Sequence, residues 1–169
     1  MGMLYCLDTN VYIEAHRRYY AFDIAPGFWD AFADWAGQGI ICSPLPVYDE
    51  ITRSKDQLAE WAKNNQASLV VNPDEATIVA YSEIADLVAR CYEPQHVQVC
   101  LNGADPWVVA YAKAHDLVVV TMEILKTEQP NKKTGLITGE IKVPNICQRV
   151  GVKFINTYDL LRVLKLTLH

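Results

Sequence analysis

The chain has 169 residues, 51% of them hydrophobic and 21% charged, which fits one globular domain over residues 1–169 with a sizeable core and excludes an intrinsically disordered chain. Its longest apolar run, Trp107 to Ala112, is far below the roughly 18 residues of a membrane span, so no membrane association is expected. The net charge of −5 argues mildly against nucleic acid, but the charge is uneven: residues 1–125 carry 7 basic and 17 acidic residues, against 8 and 3 in residues 126–169.

Met3–Leu7 reads as a buried strand ending at Asp8-Thr9-Asn10, residues that start helices. Phe28, Phe32 and Trp35, with Ala31 and Ala36, recur at helical spacing and stop at Gly37-Gln38-Gly39. Ile40-Ile41-Cys42 predicts a second strand, and Val47–Arg53 and Gln57–Lys63 predict short helices. Leu69-Val70-Val71 predicts a short edge strand. Asp74–Tyr92 carries a stripe of Ile78, Tyr81, Ile84, Ala85 and Val88, a long amphipathic helix. A helix over Asp105–His115 is followed by a buried strand over Leu117–Thr121. Residues 124–144 are polar and read as a long functional loop. A helix at Asn145–Val150, a strand at Val152–Asn156 and a helix at Tyr158–Leu166 close the chain. Strands alternating with helices predict an α/β fold, a three-layer α/β/α sandwich around a parallel sheet, with its ligand crevice beyond the carboxyl ends of the strands.

The N-terminal segment has no Lys or Arg before Arg17, which does not fit a secretory signal, and a cytoplasmic location is expected. The five cysteines are odd in number and none lies in a C-x-x-C pair, so neither a disulfide framework nor a zinc site is expected. His96 and Cys100, four residues apart, lack further nearby ligands and read as structural.

Four acids stand out by position: Asp8, Glu50, Asp105 and Glu123. Each has a simple local explanation. Asp8 could cap the helix after the first strand, and Glu50 could lie on a solvated helix face. Asp105 before Pro106 suits an N-cap with Pro in the first turn, and Glu123 could be a surface acid at a strand end. Together, and in this order, they resemble PIN-domain nucleases. Leu7-Asp8-Thr9-Asn10 is similar to that family's opening motif, and Asp49-Glu50-Ile51 to its middle glutamate. Ala104-Asp105-Pro106-Trp107 is similar to its third acid, and Thr121-Met122-Glu123 to the T-x-D/E motif that closes the following strand. The resemblance extends from Leu4 to the last strand and includes the bacterial VapC-like toxin ribonucleases. It implies a PIN-like fold, ribonuclease activity and, by analogy, the toxin role in a toxin–antitoxin pair. Two features depart from the commonest pattern. The fourth acid is Glu rather than Asp, and segment 124–144 is long, leading into Lys142-Val143-Pro144-Asn145-Ile146-Cys147, an ending similar to a less studied PIN-like subfamily.

The chemistry of the acids gives an independent reason for a metal. Carboxylates sharing one crevice repel and stay partly protonated unless a cation neutralises them. All-oxygen donors favour Mg²⁺ or Mn²⁺, and such an ion can activate water for phosphodiester hydrolysis. Asp8 and Asp105 are the expected primary ligands. Glu50 is expected to serve a second metal or to orient water, and Glu123 to act through water because its side chain is one methylene longer. Asn10 and Thr121 are expected to hold carboxylates or waters. Lys126, Lys132, Lys133, Arg17 and Arg18 are candidate phosphate contacts. The expected partners are RNA, a small antitoxin protein and a second copy of the chain. Two alternatives are a PIN-like module that binds RNA or protein without cutting, and a haloacid-dehalogenase-like phosphohydrolase. The latter needs a second Asp where Asn10 stands.

Overall fold

The computed structural model describes residues 4–169, so Met3, the first residue of the predicted opening strand, lies outside it. Five strands form one parallel sheet: β1 (Tyr5–Leu7), β2 (Ile41–Pro44), β3 (Val70–Val71), β4 (Val118–Val120) and β5 (Phe154–Ile155), in the order β3-β2-β1-β4-β5. β1 is central, and the strand order reverses direction there. Leu7 pairs with Val120, so the residues that follow, Asp8 and Thr121, emerge side by side at the carboxyl end of the sheet. That is the topological switch point at which folds of this kind place their ligand crevice.

Helices cover the sheet in the expected three-layer arrangement. α1 (Thr9–Glu14) passes without a break into a π-helical turn at Ala15–Tyr19. α2 (Pro26–Gly37) ends at Gly39, whose φ of +72° is the left-handed conformation that favours glycine. α3 (Leu45–Thr52), α4 (Gln57–Asn64) and the one-turn α5 (Gln66–Leu69) follow. α6 (Glu75–Cys91) is the predicted long helix with its buried stripe corrected. Thr77, Ala80, Ile84 and Val88 face inward, while Ile78 is 53% exposed. The inward face is the one packed on α8, and the Asp74 carboxylate caps the helix by accepting from both the backbone N–H and the hydroxyl of Thr77 at 2.9 and 2.6 Å. α7 (Pro94–Asn102) was not predicted, because its Val- and Gln-rich sequence has weak helical patterning. It does place His96 and Cys100 four residues apart on one helix, with Cys100 buried and His96 3.9 Å from Glu93. α8 (Asp105–His115) is buried nearly all round because it lies between the sheet and α6. α9 (Val143–Val150) begins two residues before the predicted start. α10 (Thr157–Val163) ends three before the predicted stop, and Lys165 follows in the left-handed region. All five cysteines are free thiols, and among the described residues no helix is long and apolar enough to cross a membrane.

The segment between β4 and α9 is a strap tied down at three points. Ile137 exchanges backbone hydrogen bonds with Cys91 and Glu93 at the end of α6, at 2.8 and 3.0 Å. The buried Tyr92 hydroxyl donates to Glu128, whose carboxylate also pairs with Arg149 at 3.0 Å. Lys126 is held through its backbone by the buried Asn145 side chain at 3.0 and 2.8 Å.

A buried polar chain joins β1 to β2 directly below the carboxyl end. Ser43 donates to the Leu7 carbonyl at 2.8 Å, which leaves the Tyr12 hydroxyl to donate to Ser43 at 2.7 Å. Ser43→Ala strands both partners and is expected to cost about 1–3 kcal/mol, while Tyr12→Phe, which strands neither, is expected to cost about 1 kcal/mol. In the Tyr12→Phe background Ser43→Ala should cost less than in the wild type. Urea unfolding of the two single variants and the double variant measures the coupling, and strictly additive losses would show that the two hydroxyls act separately.

Candidate metal centre

Asp8 leaves β1 in extended conformation and caps α1. One carboxylate oxygen accepts from the Thr9 N–H at 2.7 Å. The other accepts from the Asn10 amide and the Thr121 hydroxyl, each at 2.9 Å. Asn10 bridges further, donating to Thr121 at 3.2 Å and accepting from the Met122 N–H at 2.8 Å. Thr121 in turn accepts from the Glu123 N–H at 3.1 Å. The register of β1 on β4 thus becomes a network that fixes how Asp8 points and how the chain turns out of β4. Asn10, standing where a phosphohydrolase needs a second acid, is consumed in this network.

Asp105 differs from its simple sequence reading. It is the first residue of α8, with Pro106 second and Ala104 in the capping position, and no side chain caps this helix. The helix terminus therefore makes no demand on the Asp105 carboxylate. Asp8, Asp105 and Glu123 each bring one carboxylate oxygen into a group in which all lie within 4.8 Å of one another. Glu123 reaches it from the turn after β4, where its other commitment is to the start of α9: it accepts from the Val143 N–H at 2.7 Å. A carboxylate at a helix N-terminus is favoured by the unpaired N–H groups there.

Glu50 lies outside that group. Its carboxylate accepts from the Thr9 hydroxyl at 2.7 Å and the Ala104 N–H at 3.0 Å. It is not a solvated residue of α3, since it ties the start of α1 to the start of α8, one residue away from each of the two aspartates. Thr9, Val143 and Lys142 were not singled out by sequence reasoning. Thr9 stands within the Leu7–Asn10 motif, and the other two open the Lys142–Cys147 run, but neither motif shows which acid they would meet.

The cluster is electrostatically costly. Burial first, then the charge of Glu123, pushes Asp8 up to about 7 against the hydrogen bonds from Thr121 and Thr9. Asp105 is pushed up to about 8, first by burial and then by the charges of Asp8, Glu123, Glu50 and Glu140. Glu123 is raised by burial, with the Val143 N–H and the Lys142 ammonium pulling the other way. Among the described residues, no ion pair engages Asp8, Asp105 or Glu123. Burial also lifts the nearby Cys147 thiol to about 12, so it stays protonated and offers no soft ligand near neutral pH. Three mutually repelling oxygen donors at this spacing fit a hard divalent cation, whose ligands sit at ~2.0–2.6 Å.

The phosphate-contact candidates fall into separate settings. Lys126 spends its ammonium on the Glu140 carbonyl at 3.2 Å. Lys132 and Lys133 are exposed on the turn of the strap closed by Asn131 and Gly135. Arg18 pairs with Glu14 at 3.4 Å, whereas Arg17 is exposed and turned elsewhere.

The raised carboxyls set the sign of a pH effect. The folded cluster holds protons that an unfolded chain releases near 4, so its stabilising contribution is complete below that pH and is lost as pH rises through about 7 to 8. In EDTA, unfolding free energy is expected to fall between pH 5 and pH 8, and Asp105→Asn is expected to flatten the fall. Urea unfolding across that range checks this, and an equal slope in wild type and variant would show that the cluster is not the source.

No curated protein matches the chain. Solved structures do. VapBC2 from Rickettsia felis bound to a DNA fragment from their promoter aligns with TM-score 0.50 at 16% identity, over 91% of this chain and 98% of that one. DNA-bound VapBC from Salmonella typhimurium aligns with TM-score 0.50 at 17% identity, and VapBC-1 from nontypeable Haemophilus influenzae with 0.52 at 15%, each over the same shares of the two chains. At these identities the likeness is one of fold, and the fold is PIN-like, of the VapC kind. The profile of a family described as "Domain of unknown function (DUF4411)" matches residues 5–168, and the chain belongs to that family.

Proposed function

We propose that the protein is a ribonuclease that hydrolyses RNA phosphodiester bonds with Mg²⁺ or Mn²⁺, and that it acts as the toxin of a toxin–antitoxin pair. The observation that carries the enzymatic reading is the convergence of Asp8, Asp105 and Glu123 at the carboxyl ends of β1 and β4. The likeness of fold to VapBC structures supports the toxin role and a small antitoxin partner.

Asp8, Asp105 and Glu123 would hold the cation. Glu123 brings an oxygen as near as the aspartates do, so the extra methylene does not require a water between it and the ion. When bound, the cation supplies Lewis-acid polarisation of the phosphate and a more acidic water. The residues around it do the positioning. Thr121 and Asn10 fix the Asp8 carboxylate. Glu50 ties the starts of α1 and α8 together, adds to the negative potential felt by Asp105, and would help orient water. Near pH 7 part of the cluster is protonated, so binding a cation releases protons and tightens as pH rises.

Purified protein is expected to cut single-stranded RNA in Mn²⁺ and to stop in EDTA. Asp8→Asn, Asp105→Asn and Glu123→Gln should each abolish cutting, while Asn10→Ala and Thr121→Val should cost about 10–100-fold, as losses of the groups that orient metal ligands do. Millimolar Mn²⁺ should raise the melting temperature of the wild type, by about 2.7 kcal/mol of added stability at 100 times Kd, and should do so far less in Asp105→Asn. Expression in a bacterial host should slow growth, and Asp105→Asn should not. Full RNA binding with no metal-dependent cleavage and no Mn²⁺ stabilisation would leave a binding module in place of the enzyme.

A further inference from the structure

A cavity of about 210 Å³ is lined by His16, Arg17, Glu50, Arg53, Ser54 and Asp56 among others, and by none of Asp8, Asp105 and Glu123. One wall comes from the end of α1 and the turn that follows it. The π-helical turn Ala15–Tyr19 closes with the Tyr20 N–H donating to the Ala15 carbonyl at 2.7 Å, an i→i+5 bond that shifts the side chains around the axis. Such turns occur frequently at functional sites. Along this stretch Arg18 pairs with Glu14, its i,i+4 neighbour, and Arg17, the next residue round the helix, lines the cavity. The opposite wall is the connection from α3 to α4. Lys55 lies within it at a φ of 51°, a left-handed conformation uncommon outside glycine, and Arg53 and Ser54 on that connection line the cavity.

The balance of donors and acceptors indicates what the cavity would take. Both acids in its wall are already engaged. Glu50 accepts from Thr9 and Ala104, while Asp56 caps α4 through the Ala59 N–H at 3.0 Å and lies 3.7 Å from His16. Among the described residues neither Arg17 nor Arg53 takes part in an ion pair. Two uncommitted guanidiniums, each with five donors in a planar fork, match the oxygens of a phosphodiester. Glu50, which lines the same cavity, is bonded to Thr9, the residue that follows Asp8. A cluster of acids repels a polyanion, and cations close beside it offset that repulsion.

The geometry points to a phosphate-binding subsite at this cavity, in which Arg17 and Arg53 hold a backbone phosphate of single-stranded RNA next to the bond that is cut. The position of that phosphate rests on the nuclease reading above, while the capture of phosphate by the two arginines does not.

The test is the binding of a short fluorescent single-stranded RNA across a salt series in EDTA, followed by cleavage in Mn²⁺. Arg17→Ala with Arg53→Ala is expected to weaken binding and to flatten the slope of log K against log salt by about 0.7, the release expected for one neutralised phosphate on a single strand. Arg90→Ala with Lys153→Ala removes the same charge from exposed positions elsewhere and should leave the slope unchanged. An equal change in both pairs, or none in the arginine pair, would overturn the subsite. Cleavage by the wild type with an unchanged slope in the arginine pair would remove the subsite and leave the nuclease reading intact. A flattened slope without any metal-dependent cleavage would keep the phosphate subsite and remove the nuclease reading.

Discussion

The parallel pairing of β1 with β4 is the contact on which the rest of the site depends. Because Leu7 lies opposite Val120, Asp8 and Thr121 leave the sheet as neighbours and lock together through a hydroxyl, a carboxylate and the Asn10 amide. A shift of one residue in that register would turn every side chain of the short strands to the other face of the sheet. Cys6 and Leu7, and Val119 and Val120, point to opposite faces and are all fully buried, so such a shift would be costly by mismatching the packing on both faces. The hydrophobic register of the core and the position of Asp8 are thus one constraint.

What the core gains, the cleft partly gives back. Three acids are drawn together where burial and mutual repulsion raise their affinity for protons. A protein with no use for such a cluster would be more stable with neutral side chains there. The surrounding structure offsets some of the cost. Asp8 accepts three hydrogen bonds, and Glu123 takes the first N–H of α9. Asp105 receives neither a cap contact nor an ion pair among the described residues, and burial and its neighbours push it highest, to about 8. The oxygen least satisfied by protein is then the one best placed to gain from a cation.

The long segment after β4 shows how a polar stretch acquires structure without forming a regular element. Ile137 borrows backbone partners from the end of α6, Glu128 bridges Tyr92 and Arg149, and Asn145 grips Lys126. These ties deliver the N-terminus of α9 to Glu123, so the strap serves the carboxylate cluster at a distance. They also tie down Lys126, leaving Lys132 and Lys133 exposed on the strap's turn.

Much of this molecule is legible along the chain. The five strands and the main helices follow from local apolar period and stop signals, because each is set by neighbours within a few residues. The pairing of Asp8 with the Thr121–Glu123 turn is legible too, since both stand at the ends of buried strands in a parallel α/β pattern. Other features are not. α7 lacks a strong stripe, and which face of α6 turns inward is set by its packing against α8, which a periodicity count does not weigh. The sequence alone determined which residues are acids at strand and helix ends, and so which could share a crevice. Only the tertiary structure decided that Asp105 is not spent as a cap, that Glu50 joins two helix starts, and that Arg17 lines a cavity while Arg18 pairs with Glu14. Local sequence sets backbone conformation over a turn or two. The partner of a side chain forty or a hundred residues away is chosen by packing, and packing is a property of the whole chain at once.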